Sequence, residues 1–283
     1  MKLKAAILLL IPALVFYIYS FAAPLVIVGR LSLLESNYIT STWVGMKNYV
    51  DAFRDKYFLK TFANTFWFIL MIVPLKMVFC YRMSVFLCSF NKRVQAIGRF
   101  MLYIPSLTSG LIMTLIWSWF LLREGLFNQI LLSVGLQALP WLYEPWLARM
   151  SISLIVVVSG VGFYVIVLSA SILSIPKELK EVAFCDGATE RQYRRHILFP
   201  LMVPTILLCL LLLIVGIAQM FETIYVLTGS GGPEYSTSTP VYDVFQTAFR
   251  FGHQSYAAAK GIVLMFAIAG VLGVKTWIEK RLA

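Results

Sequence analysis

The sequence predicts an all-α, polytopic membrane protein with six transmembrane helices. Of its 283 residues 60% are hydrophobic and 13% charged, about half the charge of a soluble globule, whose apolar share is roughly 45 to 50%. Four runs, 5 to 29, 100 to 122, 150 to 176 and 197 to 221, hold no Asp, Glu, Lys or Arg. Each is long enough to cross ~30 Å of hydrocarbon, which takes ~20 helical residues. Two more runs are apolar but interrupted, 61 to 90 by Lys76 and Arg82, and 257 to 278 by Lys260 and Lys275.

The first run follows Lys2 and Lys4 and precedes an extracytoplasmic loop, so residues 1–60 form one unit and 61–283 the core. It also has features of a secretory signal, but it runs past the roughly 7 to 15 residue core of a signal peptide, and an uncleaved helix is expected. Gly125 to Tyr143 is uncharged too, yet it carries Asn128, Gln129, Ser133, Gln137 and Pro140. It is expected to lie at the interface.

Lysine and arginine placement tests this choice, because loops rich in them stay in the cytoplasm. Six spans with an inner N-terminus put 13 such residues inside and 8 outside. A seventh span would move the basic 177 to 195 cluster outside, against the rule. Both termini are therefore expected in the cytoplasm. This distribution also explains the net charge of +11 without any nucleic acid partner.

Catalytic signatures are absent: the chain has no G-x-x-x-x-G-K-[ST], H-E-x-x-H or G-x-S-x-G sequence. The four cysteines show no C-x-x-C spacing, and His196 and His253 fall on opposite expected sides. No metal site, enzyme activity or cofactor of its own is expected. Lys76 and Arg82, six residues apart, lie on different helix faces; Arg82 can snorkel to the inner surface. Lys260 and Glu222 fall near outer span ends, where interfacial placement competes with a pore-lining role.

The segment 174 to 200, SIPKELKEVAFCDGATERQYRRHILFP, reads as helix, corner, helix. Pro176 suits a first turn and Ser174 an N-cap. Ile175, Leu179, Val182 and Ala183 mark one apolar face. Asp186-Gly187 ends the helix, and Thr189 to Gln192 has the capping-box pattern that would start the next one. Such a knob suits a groove on another protein; an amphipathic loop on anionic lipid is the alternative.

Glu181-Val-Ala, Asp186-Gly187-Ala188 and Ile197-Leu-Phe-Pro200 resemble the EAA loop of permease subunits in binding-protein-dependent ABC importers. Ser171 to Pro176 and Leu227 to Pro233 look like the carbohydrate branch, the maltose and glycerol phosphate type. Val182 stands where the pattern has its first alanine, and Ser230 lengthens the second stretch by one. The resemblance implies a type I ABC importer permease fold, with 61–283 as the permease core and 174–200 as the coupling loop. It implies a half-pore paired with a second, usually different, permease subunit in a bacterial cell membrane. Cytoplasmic ATP-binding subunits would carry ATP and Mg and grip Glu181, Val182, Ala183, Asp186, Gly187 and Ala188. An extracytoplasmic binding protein would deliver a carbohydrate.

Gln219, Phe221, Glu222, Thr223 and Tyr225 mix aromatic rings with hydrogen-bonding groups, as sugar sites do. On a continuous helix Gln219, Glu222 and Thr223 would share a face. Packing within an interfacial aromatic belt is the other reading. Gly231, Gly232 and Pro233, followed by Ser236 to Thr239, read as a mobile polar outer loop, facing the binding protein or the solute path by resemblance, or simply a solvent turn. No repeat is evident, which weighs against a secondary, ion-coupled carrier, the main alternative function; a non-transport scaffold is the third.

Overall fold

The computed structural model describes residues 2–36 and 41–282. The part of the expected outer loop at 37–40 lies outside the described residues, as do the side chains of Lys2, Lys4, Lys275, Lys280 and Arg281. Helices dominate, with one antiparallel hairpin pairing Leu34–Ser36 with Ser41–Trp43. Four helices are long and apolar enough to span a membrane: Leu10–Leu31, Lys56–Cys88, Glu190–Ala218 and Gln254–Gly273. Two bent pairs, Lys92–Leu107 with Gly110–Phe120 and Pro145–Val158 with Val161–Ser174, bring the count to six.

The chain packs as two compact units. One comprises residues 1–59 and 240–269. In it the first span passes through a π turn at Ile18–Ala22 into Ala23–Leu31. The hairpin is tied down by the buried Asn48, whose Nδ2 donates to the carbonyls of Ser32 (2.9 Å) and Leu34 (2.8 Å). Asp55 then opens the second span, its Oδ1 accepting from the amides of Tyr57 (2.9 Å) and Phe58 (3.2 Å). Those amides have no partner within the helix, so a carboxylate there satisfies them and favours the helix start.

Asp55 also faces Lys260, for which the sequence left interfacial placement and a pore-lining role open. Lys260 is only 3% exposed, and its Nζ sits 2.9 Å from Asp55 and 2.7 Å from Asp243. It lies 5.2 Å over Phe58 and 4.5 Å over Tyr256, and the Tyr256 hydroxyl donates to Asp55 at 3.1 Å. A buried ammonium needs such partners, because desolvation costs several kcal/mol per ion.

The other unit comprises 60–239 and 270–283. The third span does not run straight from 100 to 122: its halves meet at 89°. Thr108 and Ser109 are extended, with ψ of 141° and 136°, so the helical ladder stops and restarts at Gly110. The fourth span bends by 45°, where Ser159 is extended and Gly160 takes φ +65°. A left-handed φ is open to glycine at little steric cost. Gly162 then lets the backbones of the two broken spans touch: an added Cβ would lie 2.6 Å from the carbonyl carbon of Leu102 and from Tyr103 Cα.

The 125 to 143 segment does not span. It holds one short helix, Leu126–Ser133, organised around the buried Asn128. That side chain donates to the carbonyls of Leu122, Arg123 and Leu139, and accepts from the Leu139 amide and the Trp141 indole.

Candidate translocation cavity and coupling knob

The fifth span ends earlier than the apolar pattern suggests. Its helix stops at Ala218, Gln219 is the C-cap, and a new helix begins at Glu222 after Phe221 adopts φ −123°, ψ −57°. The helical face expected for Gln219, Glu222 and Thr223 therefore does not exist. Folding nevertheless brings these residues together. They line a cavity of about 580 Å³ together with Phe221 and the breaks at Thr108 to Gly110 and Ser159-Gly160. Three interrupted helices thus meet at one space. Free backbone groups within a membrane are tolerated where they line a hydrated cavity, and discontinuous helices mark solute sites in many transporters.

The lining mixes Tyr164 and Phe221 with Ser106, Thr108, Thr114 and Gln219. Glu222 stands over Gly110, where an added Cβ would come within 2.7 Å of Oε2. Tyr225 stays outside the lining; it stacks on Phe221 at 5.5 Å between ring centres and is 43% exposed. Lys76 was absent from the sequence-based candidates for the path, yet it belongs to the lining. The signals for this cavity were the dipeptides Ser109-Gly110 and Ser159-Gly160, which punctuate helices. No comparable signal marks the break after Ala218.

The Gly231-Gly232-Pro233 segment, expected in an outer loop, does not lead into a plain solvent turn. Ser236 to Thr239 are buried and held by several hydrogen bonds. Asn64 Nδ2 donates to the carbonyls of Tyr235 (2.8 Å) and Ser238 (3.0 Å), Arg149 Nε to that of Ser236 (2.8 Å), and Thr239 Oγ1 to that of Met220 (2.6 Å). Gly231 and Gly232 have φ of +85° and +79°, and side chains there would strike Ser238 and Thr237. The segment's own backbone carbonyls are satisfied by the Asn64 and Arg149 side chains, while of its hydroxyls Thr239 bonds Met220 O and Thr237 bonds Thr228 Oγ1, pairings that hydropathy does not reveal.

The knob follows the expected helix, corner, helix plan, with one correction. Ser174 does not cap the second element: its hydroxyl donates back to Ser171 O at 2.8 Å, and the helix starts at Glu178. Pro176 drives this by forcing Ile175 into an extended conformation with ψ 127°. Helix Glu178–Cys185 ends in a Schellman motif, with the Ala188 amide donating to Ala183 O (2.9 Å) and the Gly187 amide to Phe184 O (3.1 Å). Gly187 has φ +80°, and Thr189 with Gln192 forms the capping box.

Two layers hold the knob's shape. Phe184 packs edge-on against Tyr193, and Lys180 Nζ lies 5.3 Å and 5.6 Å over the two rings. Glu190 pairs with Lys180 at 3.1 Å and Arg194 at 2.9 Å. These pairs are exposed and add little individually. Ala183 is buried against the knob, whereas Glu181, Asp186 and Gly187 are exposed and Ala188 is half-buried. Val182 is 58% and Leu179 42% exposed, leaving an apolar strip without cover in the single chain.

The model of the family described as "Binding-protein-dependent transport system inner membrane component" matches residues 81–283. The chain is similar to the arabinooligosaccharides transport system permease protein AraP of Bacillus subtilis (strain 168), with 28% identity covering 90% of this chain and 80% of the relative. It is likewise similar to the sulfoquinovosyl glycerol transport system permease protein SmoG of Agrobacterium fabrum, with 29% identity over 93% and 86% of the two chains. The crystal structure of a bacterial ABC transporter that imports the acidic polysaccharide alginate contains a chain of the same fold. Its TM-score is 0.84 at 23% identity, covering 99% of this chain and 96% of that one. With its six spans, three of them interrupted at the cavity, and the knob between the fourth and fifth, this chain belongs to the inner-membrane permease components of binding-protein-dependent importers.

Proposed function

We propose that this chain is the pore-forming subunit of an ATP-driven sugar importer in a bacterial cell membrane. An extracytoplasmic binding protein hands solute to the cavity at Gln219 to Thr223, and cytoplasmic ATPase subunits, which carry ATP and Mg, drive it through the 174–200 loop. The 61–283 region supplies this permease core, which pairs with a second, different permease chain. The subunit has no hydrolytic site of its own and needs no nucleic acid. Relatives named for arabinooligosaccharides, lactose and sulfoquinovosyl glycerol support a carbohydrate cargo.

The observation that carries the coupling is the knob's uncovered strip, Leu179 and Val182, beside the exposed Glu181. Its shape is fixed from behind by the Schellman corner and capping box, so a force applied to it is transmitted to the fifth span. Nucleotide can shift the pore only by binding one arrangement better than the other.

Gly187→Val tests this reading. Nothing lies within 4 Å of the new Cβ, so the cost is the left-handed backbone alone, about 1 to 2 kcal/mol. The variant should assemble normally, yet its ATP-driven uptake should fall about tenfold, the rate equivalent of ~1.4 kcal/mol. Undiminished uptake would remove the corner from the mechanism. Uptake by this chain alone, without ATP or partners, would favour a secondary carrier.

Orientation has its own check. Cys185 is exposed on the knob, so a membrane-impermeant maleimide should label it in inverted vesicles and leave it untouched in intact cells or spheroplasts. Labelling from outside would reverse the topology.

A further inference from the structure

We propose that Lys76 forms an anion subsite in the cavity, and that the cargo is a sugar bearing a carboxylate, sulfonate or phosphate. The inference rests on the reading of this cavity as the solute path. Lys76 is 4% exposed and lies in the second span. Its Nζ donates to the carbonyls of Val156 (2.9 Å) and Ser159 (2.5 Å), at the break of the fourth span. Those oxygens belong to the C-terminal end of a helix, where a cation is favoured.

Two acceptors leave one of the three ammonium N–H groups for the cavity that Lys76 lines. Gly160 beside it carries no side chain; an added Cβ would stand in contact with Nζ, at 3.8 Å. Tyr164 offers its ring at 5.2 Å. Among the described residues no carboxylate lies within 4.0 Å of Lys76. Glu222, the one acidic side chain of the lining, stands over Gly110.

The contrast with Lys260 decides the point. Both lysines are buried in spans, but Lys260 has two carboxylate partners, whereas Lys76 has only neutral ones. Intramembrane charges left without a counter-charge are costly and mark solute or ion paths. Among the cavity residues, Ser106, Thr108, Thr114, Gln219 and Thr223 provide hydrogen-bonding groups for sugar hydroxyls. An anionic substituent would supply the missing negative charge.

The test uses the complete importer in cells, offered a radiolabelled panel of uronate, sulfonate and phosphate sugars, each beside its neutral counterpart. Wild type should take up at least one acidic member in preference to its counterpart. Lys76→Gln, which keeps a hydrogen-bond donor but no charge, should reduce that uptake about ten- to a hundredfold, the range for losing a charge-assisted hydrogen bond. Neutral-sugar uptake should fall less than acidic-sugar uptake, and Lys76→Arg should preserve the preference. Wild-type uptake confined to neutral sugars would overturn the proposal whether or not any variant assembles. So would equal losses for both members of a pair in an assembled Gln variant, which would mark Lys76 as a helix cap alone. Uptake of no sugar at all would instead sink the sugar-importer reading on which the proposal stands.

Discussion

Replacing Lys260 with methionine is expected to destabilise the protein by about 3 to 5 kcal/mol, the usual cost of removing one member of a buried ion pair. The side chain it removes neutralises Asp243, which is 5% exposed, and Asp55, which is 20% exposed. The loss should be largely recovered when Asp55→Asn and Asp243→Asn are added, because the triple variant buries no net charge. Thermal unfolding of the purified complex in nanodiscs would measure both. A single variant as stable as wild type, or a triple variant no better than the single, would mean that the three groups do not act as one cluster.

The same cluster makes a pH prediction. Burial alone would raise the Asp55 carboxyl, but the hydrogen bond and charge of Lys260, with the Phe58 amide and the Tyr256 hydroxyl, outweigh it and hold the group below the usual carboxylate range. A depressed folded value means that the stabilisation is complete above the ordinary carboxylate range and is lost as pH falls through the depressed one. Without Lys260 the Asp55 carboxyl should titrate higher. The stability of Lys260→Met should therefore fall less steeply on acidification than that of wild type, because protonating the unpaired carboxylate relieves a buried charge.

Gly162→Leu is expected to be worse tolerated than any conservative change in an ordinary core position. Even an alanine Cβ would occupy space held by the Leu102 carbonyl, and would sit 2.6 Å from Tyr103 Cα. Backbone cannot rotate aside as a side chain can. Alanine should cost about 1 to 3 kcal/mol, the range for overpacking, and leucine more. Because Gly162 joins the halves of the broken third and fourth spans, separation there should also reshape the cavity and lower uptake. Gly29→Ala is the control: nothing lies within 4 Å of its new Cβ. Within a helix it should be neutral or stabilising by about 1 kcal/mol. Equal behaviour of the two glycine sites would refute the close-contact account.

Much of the knob was legible in sequence because each of its devices is local. Gly187 answers a backbone angle, Thr189 and Gln192 answer two free amides, and Glu190 lies one turn from Arg194 and ten residues from Lys180. Ser174 failed as a cap for an equally local reason, the constraint that Pro176 places on Ile175. The cavity was harder to see. Gln219, Phe221, Glu222 and Thr223 were visible as candidates, but the helical face meant to unite them is broken, and their company with Lys76 depends on two distant Ser-Gly breaks.

By itself the sequence determined the solvent, the six crossings, the knob and the family, since hydropathy, charge placement and short capping patterns act over a few turns of chain. Only tertiary structure decided which buried charges are neutralised. Asp55 and Asp243 reach Lys260 from 205 and 17 residues away, counting 260 − 55 and 260 − 243, while Lys76 meets only carbonyls and a ring. The cost of a charge in a membrane is set by its neighbours in space, and those neighbours are chosen by packing rather than by position along the chain.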